Sequence, residues 1–484
     1  MIHLPKSAAQ RTAFALLGSL WMVCVFRAAT QSIVHDEALT YQFYLTGPAG
    51  RMFQLFDANH HFLNTLLMRA STSLFGFSSL AMRLPALLGA AIFFAALYRF
   101  CGWALGPSWR MTLAVAAVAL NPLVLDLMVA ARGYGLALAL WMMALALLAP
   151  RLEAATPYHR RSIALAGTCA ALSVTANLVF VPPVAMLAAI VAWFSLQPNR
   201  RPPPARRGKP YAKPPRLWFD FFIPAIAIAI LFLLASPLEN ASKSNFYAGA
   251  SSIAQSLRSL AEASLIHSGP SAYVSFTAKL VNSIAFVFPP LAIAAGAVAA
   301  IRWRNLALAL LTVSAGGAAL LLLATHLAFD FPYPADRTGL YFLPALTLIV
   351  AALCAIPQRA IQSASAAILL LMVAGFALQF DPRFFFTWRY DADTDKIAAR
   401  FAEFARLNPS ARFALSWELE PSLNFYRETR HWNQLPRFVR QPMTAGRDAY
   451  AIILEDDGIV RELGLRIVYQ GPVSGTVIGV LAIH

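Results

Sequence analysis

Val34-His35-Asp36-Glu37-Ala38-Leu39-Thr40-Tyr41 follows at once on an apolar run, Thr12–Ala29, long enough to cross a bilayer. Two adjacent carboxylates at the mouth of a membrane helix are costly to keep there, and an ionisable group at a membrane boundary reads first as a functional site. The plainer reading makes Asp36 and Glu37 only the water-facing end of that helix. The rest of the chain bears on which holds.

Of 484 residues, 59% are hydrophobic and 13% charged. Soluble domains carry roughly 25% charged residues, so most of this chain belongs in a membrane. Apolar runs of roughly 17–25 residues predict about eleven spans. They are Thr12–Ala29, Leu84–Leu105, Met111–Met128, Gly133–Leu148, Ser162–Ala176, Leu178–Leu196, Trp218–Ser236, Leu280–Ile301, Leu306–Leu327, Thr338–Ile356 and Ile361–Gln379. The net charge of +16 does not point to nucleic acid, because many of the basic residues sit in short loops between spans. With the N-terminus in the cytoplasm, Lys6, Arg11, Arg99, Arg110, Arg151, Arg160, Arg302, Arg304 and Arg359 all fall inside, as the positive-inside rule requires. Asp36, Glu37, Asp57, Asp126, Glu239, Glu262, Asp330 and Asp336 then face outward. Cys24, Cys101, Cys169 and Cys354 lie in apolar runs and imply no disulfide framework. The first span reads as an uncleaved helix rather than a signal peptide.

The expected fold is an all-α polytopic membrane bundle, residues 1–380, followed by a small α/β extracytoplasmic domain, residues 381–484. In the first outer loop, Leu39–Leu45 and Phe62–Phe75 read as amphipathic surface helices. The basic, proline-rich loop Gln197–Leu217 reads as an irregular cytoplasmic tether. The outer loop Pro237–Tyr273, with Lys243, Asn245 and Tyr247, reads as polar and mobile. Beyond Asp381, Asp393–Leu407 reads as an amphipathic helix. Arg412–Trp417, Ala449–Leu454 and Leu465–Tyr469 read as strands, with short helices at Pro421–Tyr426 and Asp457–Leu463. No P-loop, dinucleotide fingerprint, HExxH or CxxC occurs.

Four outward stretches carry polarity beside membrane helices: His35-Asp36-Glu37, Asp57-Ala58-Asn59-His60-His61, Ala131-Arg132-Gly133-Tyr134-Gly135 and Pro332-Tyr333-Pro334-Ala335-Asp336-Arg337-Thr338. Singly, each has a dull reading: histidines bonded to carbonyls, arginines snorkelling to lipid phosphates, Asp336 paired with Arg337. Together on one side they suit transfer from a lipid phosphate. A carboxylate serves as base to an acceptor hydroxyl, and guanidiniums hold the phosphate that leaves.

The pieces HDEALTY, NHHFLNTLL, FGFSSLAMRLPALLG, NPLVLDLMVAARGYG and PADRTGLYFLP, between Ala13 and about Pro357, resemble the GT-C superfamily of polyprenyl-phosphate-sugar-dependent glycosyltransferases. Within it they are most like the bacterial dolichyl-phosphate-mannose-protein mannosyltransferase-like and aminoarabinose-transferase-like members. The resemblance implies Asp36 as catalytic base with Glu37 its neighbour, Arg337 on the carrier phosphate, and His60, His61, Arg132 and Tyr134 at the site, the last two on the donor side. It implies a sugar moved, with inversion, from a polyprenyl-phosphate donor such as an undecaprenyl-phosphate sugar to a hydroxyl on a lipid, glycan or protein acceptor. The setting would be the outer face of a bacterial inner membrane. No cofactor is required on this reading; a divalent metal held by His35, Asp36, His60 and His61 stays open, although their spacing matches no standard motif. The rivals are a transporter or flippase, which would need polar residues at mid-span, and a glycan polymerase or ligase using pyrophosphate-linked lipids.

Overall fold

The computed structural model describes residues 6–57, 59–153, 159–197, 217–242, 245, 249–268, 270–444 and 446–481. Most of the proline-rich loop, with Lys243 and Tyr247, lies outside the described residues. The chain is helical from α1 (Ala8–Thr30) through α2 (His35–Thr40), α3 (Phe62–Phe75), α4 (Ser79–Leu105), α5 (Trp109–Ala119), α6 (Pro122–Leu127), α7 (Gly133–Leu152), α8 (Arg160–Ala176) and α9 (Val181–Leu196). It continues with α10 (Leu217–Ala235), α11 (Ile253–Leu265), α12 (Ser271–Trp303), α13 (Leu306–Phe329), α14 (Phe342–Leu353) and α15 (Arg359–Leu378).

Among the described residues, eight helices are long and apolar enough to cross a membrane, rather than the eleven expected. The other three segments are helical but shorter. The run Met111–Met128 is broken where Asn121 caps a new helix and Pro122 opens it. Helix α8 carries Ser162, Thr168, Ser173 and Thr175, and α14 is shortened by the turn that holds Arg337. Large apolar side chains stand exposed around the bundle, among them Leu196, Leu234, Ile301 and Leu371, as a lipid-facing surface requires. The chain is thus a multi-pass membrane protein.

Helix α7 is the axis of the bundle and is buried along most of its length. Its entry needs glycine: a Cβ at Gly133 would run into the Ala176 carbonyl, and one at Gly135 into the Leu127 carbonyl. Helix α4 contains Pro85, which cannot donate to the Ala81 carbonyl one turn back. The Ser71 hydroxyl of α3 donates to that carbonyl instead, at 2.7 Å, and so ties the first-loop helix to the bundle.

Both first-loop helices form, the first as α2 running into a π-helical turn, Tyr41–Leu45. The loop expected to be mobile contains α11. Its Ser252 side chain caps the helix, and its Leu260 and Ala263 are buried. Beyond α15 come α16 (Thr394–Leu407), β1 (Phe413–Leu415), α17 (Glu420–Thr429), β2 (Ala449–Ile452), α18 (Gly458–Glu462), β3 (Leu465–Gln470) and a fourth strand not expected from the sequence, β4 (Val477–Leu481). The sheet order is β1-β2-β4-β3, with β1 parallel to β2 and the other pairs antiparallel. Its apolar core is continuous with the first loop: Ile33, Ala38, Tyr41 and Leu45 share one cluster with Ile397, Phe401, Leu423 and Phe425. The C-terminal region therefore packs directly over α2. Tyr426 accepts from the Ile33 amide at 2.9 Å, and Ser32 bonds Asp395 at 3.0 Å.

Candidate active site

Asp36 lies in the first turn of α2 and is 7% exposed. Its Oδ2 accepts from Arg337 Nη2 at 3.3 Å, and Arg132 Nε stands 3.7 Å from the same oxygen. The Trp388 indole also bonds this carboxylate. Burial pushes Asp36 toward the neutral acid, but Arg132 and Arg337 outweigh burial and hold its carboxyl below the usual carboxylate range. Asp36 is therefore an anion at neutral pH.

Arg337 is held from several sides. Its loop forms an antiparallel bridge between Tyr333 and Ala250. Helix α11 anchors it further: Ser256 donates to the Pro334 carbonyl, and the Asp336 amide donates to Ser259 Oγ at 2.8 Å. The Arg337 guanidinium stacks over Trp388 at 5.2 Å and donates to the Tyr134 hydroxyl. Arg337 and Asp336 do not use each other as main partners. Asp336, whose backbone is left-handed (φ 48°), accepts from Thr387 at 3.1 Å. Arg337 keeps 23% of its side chain exposed, against 2% for Arg132. Arg132 is fixed by Asn59, which accepts Nη2 at 2.7 Å, and by Thr40 Oγ1 at 3.3 Å. One cation is thus locked and the other reachable from outside.

Glu37 is not beside Asp36 in function. Its carboxylate turns inward, is fully buried, and forms a two-point pair with Arg83: Oε1 with Nε at 2.9 Å and Oε2 with Nη2 at 2.6 Å. Its oxygens also accept the Ala131 amide at 2.6 Å and the Val34 amide at 3.1 Å. Arg83 donates further to the carbonyls of Ala28, Gln31 and Ser32. Glu37 and Arg83 thus fasten the end of α1, the start of α2 and the residue before Arg132 into one frame. A second buried latch joins Arg27 to Asp126 at 2.6 Å and Asp126 to His267 at 2.9 Å; Asp126 faces no solvent.

His60 and His61 are set to one side. His60 stacks on Tyr44 with ring centres 4.3 Å apart, and His61 meets Tyr134 edge-on at 5.1 Å. Burial lowers His60 to about 4 and drives His61 well below the ordinary histidine value, with Arg132 adding to the second shift. His35 points away, its Nδ1 bonded to the Glu418 carbonyl at 2.6 Å. The four residues His35, Asp36, His60 and His61 do not converge, and among the described residues no group of three or more histidines, cysteines or carboxylates is placed to hold a metal.

The structure therefore joins Asp36, Arg337, Arg132 and Tyr134 at one point. It assigns Glu37 to the frame and the histidines to a neighbouring wall. Sequence reading missed Trp388 and Arg83. Arg83 had a signal, since an arginine at the mouth of the apolar run Leu84–Leu105 needs a partner. Trp388 had none.

Neither a family model nor a curated protein matches the sequence. Among solved structures, apo ArnT from Cupriavidus metallidurans aligns with a TM-score of 0.51 at 12% identity, over 98% of this chain and 99% of that one. The chain has the GT-C fold. ArnT bound to undecaprenyl phosphate also matches, with a TM-score of 0.41 and 14% identity over 97% of each chain. The mycobacterial arabinofuranosyltransferase AftD matches with a TM-score of 0.44 and 16% identity, over 97% of this chain and 40% of that one. At 12% identity the likeness to ArnT is one of fold alone and says nothing of individual side chains.

Proposed function

We propose that this protein is a glycosyltransferase that moves a sugar from a polyprenyl-phosphate donor to a hydroxyl acceptor. The observation that carries the reading is the buried Asp36 carboxylate with one locked and one partly exposed guanidinium, on a GT-C fold. When the donor phosphate enters, it competes with Asp36 for Arg337, whose exposed edge is the reachable one. Released from that pair, Asp36 accepts the proton of the acceptor hydroxyl. The acceptor oxygen bonds to the anomeric carbon as the bond from that carbon to the phosphate oxygen breaks. The leaving polyprenyl phosphate carries its electron pair into the field of Arg337 and Arg132. One displacement inverts the anomeric centre. No step here uses a metal or cofactor.

The active end faces away from the cytoplasm on this reading. Helices α1, α4 and α7 bring Thr30, Arg83 and Arg132 to the site, and their opposite ends carry Arg11, Arg99 and Arg151. The positive-inside rule places those opposite ends in the cytoplasm. Nucleotide sugars are absent from the far side, so an activated sugar has to arrive there on lipid. The setting is a bacterial plasma membrane, with residues 381–484 as an extracytoplasmic cap on the site. The acceptor is a lipid, glycan or protein hydroxyl. Purified protein in lipid, given a panel of polyprenyl-phosphate sugars with and without chelator, tests the reading by mass spectrometry. Release of polyprenyl phosphate supports it; intact donor in every lane overturns it.

A further inference from the structure

Beside the Asp36 centre is a pocket between the start of α3, the α8–α9 turn and the end of α10. His60, His61, Asn177 and Ser236 line it, and Phe62 and Phe232 close one wall with ring centres 5.7 Å apart. The four polar residues are 8%, 6%, 3% and 7% exposed. His60 Nε2, His61 Nε2, Asn177 Nδ2 and Ser236 Oγ are each buried with no hydrogen-bond partner among the described residues. A buried polar atom left unpaired costs about 1–3 kcal/mol. Four such atoms around one pocket are an arrangement that stands only with something for them to bind.

The donor set describes the ligand. An amide N–H₂ only donates, a serine hydroxyl donates and accepts, and a neutral imidazole nitrogen does one or the other. That mixture matches hydroxyl groups, which themselves donate and accept. It suits an anion or an ammonium less well, since among the described residues neither a cationic side chain nor a carboxylate lines the pocket. Both histidines are neutral there, because burial disfavours their charged form. The interior has room for about one group of water size, so it admits a ring substituent and not a sugar ring. The two phenylalanines offer an apolar wall of the kind that packs against carbon-bound hydrogens.

The pocket and the phosphate-binding cations are walls of one site. Asn59, immediately before His60, holds Arg132 at 2.7 Å, and His61 packs on Tyr134, which accepts from Arg337. We infer that this pocket receives an uncharged, hydroxyl-bearing substituent of the sugar on the donor, and thereby selects neutral over amino sugars at that position. The inference rests on the glycosyltransferase reading above.

The test uses whichever polyprenyl-phosphate sugar the wild-type protein consumes from a panel of neutral and amino pentoses and hexoses, together with its mono-deoxy and mono-amino analogues. The wild type is expected to favour the parent over one mono-deoxy analogue by about 10- to 100-fold in kcat/KM, the range set by one unsatisfied buried hydrogen bond. In His61→Phe and His60→Phe that preference collapses to about 1, and His61→Gln recovers part of it. Stabilisation of the protein by undecaprenyl phosphate without sugar is expected to stay as in the wild type, which separates loss of selectivity from loss of fold. Equal losses for parent and deoxy donors, or unchanged discrimination, would mean that the pocket holds only ordered water, and preference for the amino analogue would reverse the charge argument. Either overturns the inference while the enzyme reading stands. Consumption of no donor by the wild type removes the enzyme reading itself.

Discussion

Glu37→Gln changes one atom in a fully buried carboxylate, and the structure sets the size of its effect. Both Glu37 oxygens face only donors: Arg83 Nε and the Ala131 amide at Oε1, Arg83 Nη2 and the Val34 amide at Oε2. An amide nitrogen in either position meets two donors and no acceptor, and the Arg83 charge loses its counter-ion at 0% exposure. Breaking one partner of a buried pair costs about 3–5 kcal/mol. Arg83→Met strands the carbonyls of Gln31 and Ser32 as well, so it is expected to cost at least as much. The double variant leaves no uncompensated charge, and its loss falls short of the sum of the single losses by about 2–3 kcal/mol. Equilibrium unfolding in mixed micelles of dodecyl sulfate and a mild detergent measures all three. Additivity within about 0.5 kcal/mol would refute the view that these residues act as one frame.

Further outcomes follow from the same geometry. Arg337→Gln is expected to raise the KM for a polyprenyl-phosphate sugar about 10- to 100-fold, with Arg337→Lys between, because a point charge replaces a fork. Asp36 is depressed by Arg132 and Arg337, so it stays ionised down to below the usual carboxylate range; the acid limb of kcat/KM lies there, and Arg337→Gln moves it to higher pH. Asp391 has the opposite sign. It is fully buried and accepts from the His35 amide at 2.7 Å and from Thr394 at 3.1 Å, and burial raises its carboxyl to about 8. The folded protein therefore binds a proton that the unfolded chain has released, and this residue lowers stability by about 1.4 kcal/mol per pH unit between about pH 4 and 8. Asp391→Asn is expected to flatten that slope in pH-dependent thermal unfolding; an unchanged slope would place the titration elsewhere.

The sequence made the membrane half readable because an apolar run of bilayer length is seldom used for anything but crossing one, and because charges gather at the ends of such runs. Asp36, Arg132, Tyr134 and Arg337 were found as polar islands beside spans. What it hid depends on direction. Glu37 is the next residue to Asp36, and one helical step of about 100° turns it from the site into the frame. His60 and His61 share a stretch with Asn59, yet only Asn59 reaches Arg132. The helix Ile253–Leu265 was lost inside a polar loop because its apolar stripe is narrow, with Leu260 and Ala263 its buried apolar residues. Trp388 lies 352 residues from Asp36 in a region with its own strands and helices, and nothing local marks it as the indole over Arg337.

The central claim is that Asp36 takes the acceptor proton while the guanidiniums hold the phosphate. The most direct measurement is single-turnover transfer by Asp36→Asn beside wild type, with donor binding followed in the same samples. Donor binding is expected to be at least as tight as in the wild type, since Asp36 no longer competes for Arg337, and transfer to be slower by about 10²- to 10⁴-fold. Transfer at the wild-type rate, or loss of donor binding as large as the loss of transfer, would contradict it.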